Sequence, residues 1–284
     1  MQHLEFTPDD LDIFENELVY ACYELCDEKR IGKIATESKA LYRGDGVLDI
    51  EIHGQKLYGV TSNGSLLRID GDKGNQITST FLEDGINLTI SINSTGRGCI
   101  TTNNGSIFIV DLDEDIILNS FKGHSFEVWS CCWYNEKSVL TGADDSVLKF
   151  WDLNDTASPS WSKRMEMGVS CIARAGDKGI LIGNYDEKLR LIDPRMPSIF
   201  VQELDCGGGI WRIKENPEDP NIWLVAAMHG GAKIVDIQKN EVIQSFDEHD
   251  SMVYGAVWLN KKEIATCSFY DKKLCFWRFG GPNK

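Results

Sequence analysis

Six dipeptide positions, spaced almost evenly along the chain, decide what it can fold into. They are Ile69-Asp70, Val110-Asp111, Trp151-Asp152, Ile192-Asp193, Val235-Asp236 and Trp277-Arg278, and their first members advance by 41, 41, 41, 43 and 42 residues. Near-equal periods of this size mark a chain of repeated units, each burying its apolar faces only against its neighbours. Six residues before each of these positions stand Asn63, Asn104, Asp145, Asp186, His229 and Asp271. Asp and Asn suit a tight turn there, because their short side chains accept from nearby backbone N–H groups. His229 alone breaks the rule.

The copy from Gly123 to Asp152 is the sharpest. It opens on Gly123-His124, runs through Val128 to Tyr134 and Ser138 to Thr141, turns at Asp144-Asp145, and closes through Val147 to Trp151-Asp152. Three short strands pinned by His124, Asp145 and Trp151 are the pattern of a WD repeat. The expected fold is therefore all-β, a seven-bladed WD-repeat β-propeller forming one domain over residues 1–284. Leu11 to Phe14, Leu18 to Leu25, Arg30 to Thr36 and Lys39 to Tyr42 read as the strands of the first blade. Few residues follow Trp277, so the N-terminal stretch His3 to Phe6 is expected to close the ring as outer strand of the last blade.

Charge and cysteine usage narrow the partners. With 29 Lys and Arg against 44 Asp and Glu, the net charge is −15. Phosphate binding rests on Lys and Arg, so neither nucleic acid nor an anionic membrane is expected as a partner. The residues Met1 to Asp10 hold no apolar core, and no apolar run approaches the roughly 20 residues of a membrane helix. Nine Cys without regular spacing point to free thiols and a cytoplasmic, reduced protein, with no metal and no cofactor. A monomer is expected.

The repeat also says which residues gather on one face. The start of each innermost strand and the residue before each Asp slot give Glu127, Trp129, Asp144, Ser170, Tyr185, Gly209, Trp211, Met228, Tyr254 and Tyr270. Half of these are Trp or Tyr, all from blades four to seven, whereas blades two and three offer Ser62 and Asn103. An aromatic cluster in an acidic protein is a binding-site signature. Ahead of Trp211 stand Gly207, Gly208 and Gly209, which permit unusual backbone angles and leave amides open.

Several stretches go beyond a generic propeller. They are Phe126-Glu127-Val128-Trp129, Gly183-Asn184-Tyr185-Asp186-Glu187, Gly208-Gly209-Ile210-Trp211-Arg212-Ile213-Lys214, Ala226-Ala227-Met228-His229, Val253-Tyr254-Gly255-Ala256 and Ala265-Thr266-Cys267-Ser268-Phe269-Tyr270-Asp271. In these the chain resembles the WD-repeat diphthine methyl ester hydrolases of the diphthamide pathway. It departs from them at Val257, where that family usually has an acid. The resemblance implies hydrolysis of the methyl ester of methylated diphthine on translation elongation factor two, giving diphthine and methanol. The substrate also carries a trimethylammonium group.

Under that reading His229 is the expected general base, since imidazole titrates near neutrality. Arg212 and the amides near Gly208 and Gly209 would hold the oxyanion. Trp129, Tyr185, Trp211, Tyr254 and Tyr270 would cage the ammonium group by cation–π contact, aided by Glu127. Ser268 and Cys267 stand as reserve nucleophiles. His124 and His249 precede an Asp by 21 and 22 residues, the spacing of a structural pin. The competing class is a non-catalytic scaffold that binds a protein through the same face.

Overall fold

The computed structural model describes residues 1–83 and 85–281. A two-residue strand, β1 (Gln2–His3), precedes seven four-stranded antiparallel sheets. The first holds β2 (Thr7–Phe14), β3 (Glu17–Cys26), β4 (Lys29–Thr36) and β5 (Ala40–Asp45). The second holds β6 (Val47–His53), β7 (Lys56–Thr61), β8 (Ser65–Asp70) and β9 (Gln76–Phe81). Next come β10 (Asn87–Ile92), β11 (Arg97–Thr102), β12 (Ser106–Asp111) and β13 (Ile116–Lys122), then β14 (Ser130–Asn135), β15 (Ser138–Gly142), β16 (Val147–Asp152) and β17 (Trp161–Arg164). The fifth sheet is β18 (Val169–Arg174), β19 (Ile180–Asn184), β20 (Lys188–Ile192) and β21 (Phe200–Asp205), and the sixth is β22 (Arg212–Glu215), β23 (Ile222–Ala226), β24 (Ala232–Asp236) and β25 (Glu241–Phe246). The last is β26 (Val253–Trp258), β27 (Glu263–Ser268) and β28 (Lys273–Arg278), with β1 as its outer strand. These are the blades of a seven-bladed β-propeller.

Closure by the N-terminal strand is as expected, but the strand lies one residue earlier and is shorter. Gln2 pairs with Leu274 and His3 with Lys273, and Leu4 N–H donates to Lys272 O at 2.8 Å. Residues 4–6 form no strand. The first-blade strands lie where the sequence puts them, each longer by one to four residues, with β5 starting one residue later than expected.

The chain forms two compact units, one of Met1–Leu11 with the chain from Ser170 on, the other Asp12–Val169. Each holds its core between successive sheets. In the first unit Leu181, Leu189, Ile210, Trp223 and Val225 fill one layer, and Leu224, Ile234, Val253, Trp258 and Ile264 fill the next. In the second, Val19, Ile34, Ile50, Leu57 and Ile69 do the same. The middle strands are covered on both faces, so β15, β19 and β23 are buried at every position. The outer strand β21 alternates half-buried with exposed residues, the period-2 pattern of a strand with one wet face.

Polar pins fix the turns. In the fourth blade Trp151 Nε1 donates to Thr141 Oγ1 at 2.9 Å, Thr141 lies 2.7 Å from His124 Nε2, and His124 Nδ1 lies 2.9 Å from Asp145. The Asp145 carboxylate fixes the directions: Nδ1–H donates to it, and Nε2 of the neutral ring accepts from Thr141 O–H. The seventh blade extends the chain by one hydroxyl. Trp277 donates to Thr266 (3.2 Å), Thr266 pairs with His249 Nε2 (2.8 Å), His249 Nδ1 meets Ser268 Oγ (2.6 Å), and Ser268 donates to Asp271. The expected direct His249–Asp271 pin is thus bridged by Ser268. The fifth blade uses a different device: Arg190, 2 % exposed, holds Asp186 with two donors (2.7 and 2.9 Å), Asn184 (3.1 Å) and Glu203 (2.8 Å). A buried guanidinium is tolerable because all its charge is matched.

Both pinned imidazoles are neutral in the fold. Burial pushes His124 below its ordinary value, against the pull of Asp145, and pushes His249 down from 6.5 to about 4, with Asp271 opposing. Below pH 6.5 the unfolded chain binds protons that the folded chain refuses until about pH 4, so stability falls as pH falls through that window. The urea midpoint is expected to drop between about pH 7 and about pH 5, before carboxylates titrate; a flat profile there would contradict neutral, buried imidazoles. Removing residues 1–5 is expected to lower the melting temperature by several degrees, since a cost of about 1 kcal/mol shifts a domain this large by ~2–4 °C. An unchanged melting temperature would deny β1 its closing role.

Candidate functional site

Within the first unit, the aromatic residues flagged by the repeat are joined into one ladder. Tyr185 and Trp211 have ring centroids 6.5 Å apart, Trp211 and Tyr254 stack at 4.7 Å and 28°, and Tyr254 meets Phe269 at 5.2 Å. Phe269 then meets Tyr270 edge-on at 5.0 Å and 77°. Phe269 is 8 % exposed and Tyr270 65 %, so the ladder runs from a buried rung to a free one. Tyr185, Trp211 and Tyr254 are half-buried. Phe269 was not singled out from sequence; its place beside Tyr270 in the Ser268-Phe269-Tyr270-Asp271 turn was the available signal.

The electrostatics of the ladder come from acids that sequence reading passed over. Asp9 and Asp10, at the start of β2, are 4 % and 0 % exposed. Asp10 Oδ1 lies 3.2 Å from Arg212 Nε, a charge contact in which the N–H is not aimed at the oxygen. Arg212 is thereby tied beside Trp211 by a buried carboxylate. Burial pushes the Tyr254 phenol well up, and the nearby Tyr270 and Asp9 add to the rise. The signal in the sequence was thin: two acids before Leu11, in a stretch that pattern reading leaves outside the strand.

His229 sits in the turn between β23 and β24. Its Nε2 lies 3.2 Å from Glu187 Oε1, and both side chains are well exposed, at 59 % and 42 %. Met228 in this turn has φ of +39°. The glycines before Trp211 serve close packing. A Cβ on Gly208 would lie 2.1 Å from Ala227 O, and one on Gly209 would lie 2.9 Å from Met228 Sδ and 3.5 Å from Tyr185 Cα. Gly208 and Gly209 therefore seat the His229 turn against the Tyr185 end of the ladder; only Gly207, at φ +73°, uses glycine's backbone freedom.

Other flagged residues lie elsewhere or are closed off. Ser170, expected on the face, is 3 % exposed and donates to Ile210 O. Trp129 and Glu127 belong to the second unit, where Trp129 Nε1 donates to Asp144 at 2.8 Å and Glu127 O accepts from Asp144 N–H at 3.0 Å. Ser268 is fully buried between His249 and Asp271. Cys267 is fully buried as well, and burial raises its thiol well above the ordinary range. Neither is placed to act as a nucleophile. No helix among the described residues is long and apolar enough to cross a membrane.

Comparison with known proteins gives three kinds of likeness. The family model described as "WD domain, G-beta repeat" matches residues 116–152. The chain is 30 % identical to the "Diphthine methyltransferase homolog" of Dictyostelium discoideum, over 86 % of this chain and 79 % of that protein. It is 31 % identical to the "Diphthine methyltransferase" of Schizosaccharomyces pombe over 67 % of this chain and 63 % of that protein. It is 34 % identical to the Homo sapiens protein of the same name, over 49 % of this chain and a third (33 %) of that protein. The chain thus spans less than two thirds of the fission yeast and human relatives. A chain in a structure titled "Crystal Structure of Mitotic Checkpoint Complex" superposes with a TM-score of 0.82 at 17 % identity, over 98 % of this chain and 90 % of that one, a likeness of fold.

These names correct the expected reaction. The relatives are named as enzymes that transfer a methyl group, the opposite direction to the hydrolysis of a methyl ester, and the expectation of an ester hydrolase is set aside. The roles of His229 as base and Arg212 as oxyanion holder in that hydrolysis go with it. Arg212 has its partner in Asp10, and the two reserve nucleophiles are buried. The non-catalytic scaffold gains no support from the same relatives.

The ladder makes a distinction that can be measured. Tyr270→Ala is expected to weaken tetramethylammonium binding while leaving the melting temperature unchanged, because its ring is exposed. Phe269→Ala is expected to cost about 3–5 kcal/mol of stability, the range for a buried ring. Equal effects of the two substitutions on stability, or none of Tyr270→Ala on cation binding, would show that the rings serve packing alone.

Proposed function

The chain belongs to the diphthine methyltransferase family, and on that footing we propose that its ring ladder recognises diphthine through the trimethylammonium group. The reaction class is the methyl transfer stated in the relatives' name. Methyl transfer breaks one bond to the methyl carbon and makes another, so it needs a donor and an acceptor; the ladder answers for the acceptor. The observation that carries this reading is the contiguous run Tyr185–Trp211–Tyr254–Phe269–Tyr270 in a chain of net charge −15. A quaternary ammonium has no N–H to donate. It is held by ring faces and by negative field, each ring contributing about 0.5–2 kcal/mol.

The neighbouring groups take subordinate parts. Asp9 supplies negative charge near Tyr254, and Asp10 holds Arg212, the first residue of β22 and the chain neighbour of Trp211. His229, exposed beside Glu187 at the Tyr185 end, is the group proposed to meet the carboxyl group of diphthine. The protein partner is translation elongation factor two carrying diphthine, met in the cytoplasm, where the nine free thiols remain reduced.

The test uses a peptide bearing diphthine and the same peptide with unmodified histidine. The diphthine peptide is expected to bind at least about tenfold more tightly, a difference of ~1.4 kcal/mol, and Trp211→Ala to abolish the preference. Mass spectrometry of elongation factor two incubated with the chain and a cell extract would follow the methyl count of the residue. His229→Asn is expected to slow the change in methyl count while leaving tetramethylammonium binding intact. Equal binding of the two peptides would overturn the reading.

A further inference from the structure

In five blades the side chain at the close of the third strand holds the loop that follows. Thr36 Oγ1 accepts from Ser38 and Lys39 N–H at 3.2 and 3.3 Å, and Asp111 accepts from Asp113 and Glu114, both at 3.1 Å. Asp152 accepts from Asn154 (3.0 Å), Asp193 from Arg195 (2.9 Å), and Asp236 from Gln238 and Lys239 (2.9 and 3.0 Å). Asp70 stands at the same place in the second blade and makes no such bond. It is 6 % exposed, and its Oδ1 is buried without a hydrogen-bond partner. A buried carboxylate oxygen with no donor destabilises the fold until something pairs with it. Asp236 is the matched case. It is 7 % exposed and also has a Lys three residues on, with Lys239 Nζ at 3.2 Å where Lys73 Nζ lies 3.5 Å from Asp70. The difference lies in the loop.

The loop after Asp70 turns its N–H groups to backbone oxygens. Gly71–Lys73 forms one 3₁₀ turn, in which Gly71 N–H donates to Gln55 O at 3.0 Å and Gly74 N–H to Gly71 O at 3.1 Å. Asn75 N–H donates to Asp70 O at 2.9 Å, which keeps the two residues side by side. Gly74 and Asn75 reach this arrangement at φ of +66° and +63°. The Asn75 Oδ1 is then a second buried oxygen without a partner. Two more oxygens stand next to the turn: a Cβ on Gly71 would lie 2.7 Å from Glu15 Oε1 and 2.9 Å from Gln55 O. All of these residues belong to the second unit. Carboxylate, amide and carbonyl oxygens thus gather at the start of the loop, and the cation beside them is the exposed Lys73.

We propose that this loop of the second blade binds a hard divalent cation, calcium or magnesium, through Asp70 Oδ1 and Asn75 Oδ1, with Glu15 and water completing the shell. Among the described residues no three His, Cys, Asp or Glu side chains form a metal-binding group, so the ligands are mixed oxygens and not the set of a zinc centre. Sequence reading expected no metal because no Cys and His set is spaced for one, and an oxygen site of this kind leaves no such mark. Affinity follows the number of charged ligands, so one or two carboxylates make a weak site, with Kd of about 0.1–1 mM. The ion does for Asp70 what backbone N–H groups do for Asp236, and it joins the loop to the β2–β3 turn that carries Glu15. Lys73 competes with it for the same carboxylate. The site shares no residue with the ring ladder, so it does not depend on what the ladder binds.

The test is calorimetry of the whole chain, stripped with a chelator, against calcium chloride and separately against magnesium chloride at constant ionic strength. Saturable binding of one ion is expected, with the melting temperature raised by about 2–4 °C at saturation. The ion that binds more tightly is the one the site takes. Asp70→Asn is expected to abolish the binding, and Asp236→Asn to leave it intact. Two further variants do not depend on tolerating a loss at Asp70. Lys73→Met removes the competing ammonium and is expected to tighten binding about threefold or more, and Asn75→Asp adds a charged ligand and is expected to tighten it about tenfold. Absence of saturable binding would overturn the proposal and leave the buried oxygens to water. An equal response in Asp70→Asn, or affinity unchanged in both Lys73→Met and Asn75→Asp, would overturn it too, by showing only the general attraction of cations to an acidic chain.

Discussion

Every blade of this protein is a small sheet with two apolar faces, and neither can be left in water. That constraint governs the rest. The middle strands β15, β19 and β23 are buried at every position, so those sheets are stable only between two neighbours. The last blade is completed by a strand from the other end of the sequence: Gln2 and His3 pair with Leu274 and Lys273. The repeated geometry has a second effect. It returns the chain to an equivalent turn once per blade, so residues about 40 positions apart in sequence meet as neighbours. Trp211 and Tyr254, 43 positions apart, stack for that reason, and Tyr185 and Tyr270 extend the pair into one ladder through Phe269.

Much of this was legible from spacing. The six turn positions fall at a fixed interval before the closing residue of each third strand, and five of them accept backbone N–H groups as short polar side chains should: Asn63 from Ser65, Asn104 from Ser106, Asp145 from Val147, Asp186 from Lys188, Asp271 from Asp250. Period and residue type together determine such turns, and both are visible in a sequence. Buried charge is not. Asp9 and Asp10 sit in the core because Arg212, some 200 positions later, stands against one of them, and no local pattern announces that partner. Ser268 was read as a spare nucleophile because hydroxyls look alike in sequence; its place between His249 and Asp271 emerges only in three dimensions.

The direction of the chemistry was misread for a related reason. The motifs around Trp211, Tyr254 and Tyr270 bring rings together in an acidic chain, and under the proposed function that arrangement selects a ligand group. Rings that grip a quaternary ammonium do so whether a methyl group elsewhere on the ligand is being added or removed. The residue types were the same for both readings, and the relatives' names separate them.

The turn carrying His229 shows how a repeat can release one position for other use. In the other repeats the side chain at this slot holds the turn, either by accepting backbone N–H groups or, at Asp186, by gripping Arg190 as well. The sixth blade holds its turn through the backbone. Gly230 N–H donates to Ala227 O, Ala227 N–H to Gly231 O at 2.8 Å, and Met228 O accepts from both Gly231 (3.2 Å) and Val253 (3.0 Å). Gly208 packs so closely beneath that a Cβ there would strike Ala227 O. With its carbonyls and amides satisfied, the turn asks nothing of the side chain at 229. The imidazole can then stand in solvent beside Glu187, at the end of the ring ladder, where any other repeat has a side chain committed to its own turn. Two glycines and a residue at positive φ are what this costs in sequence, and that triplet, more than the histidine, distinguishes the sixth blade from its neighbours.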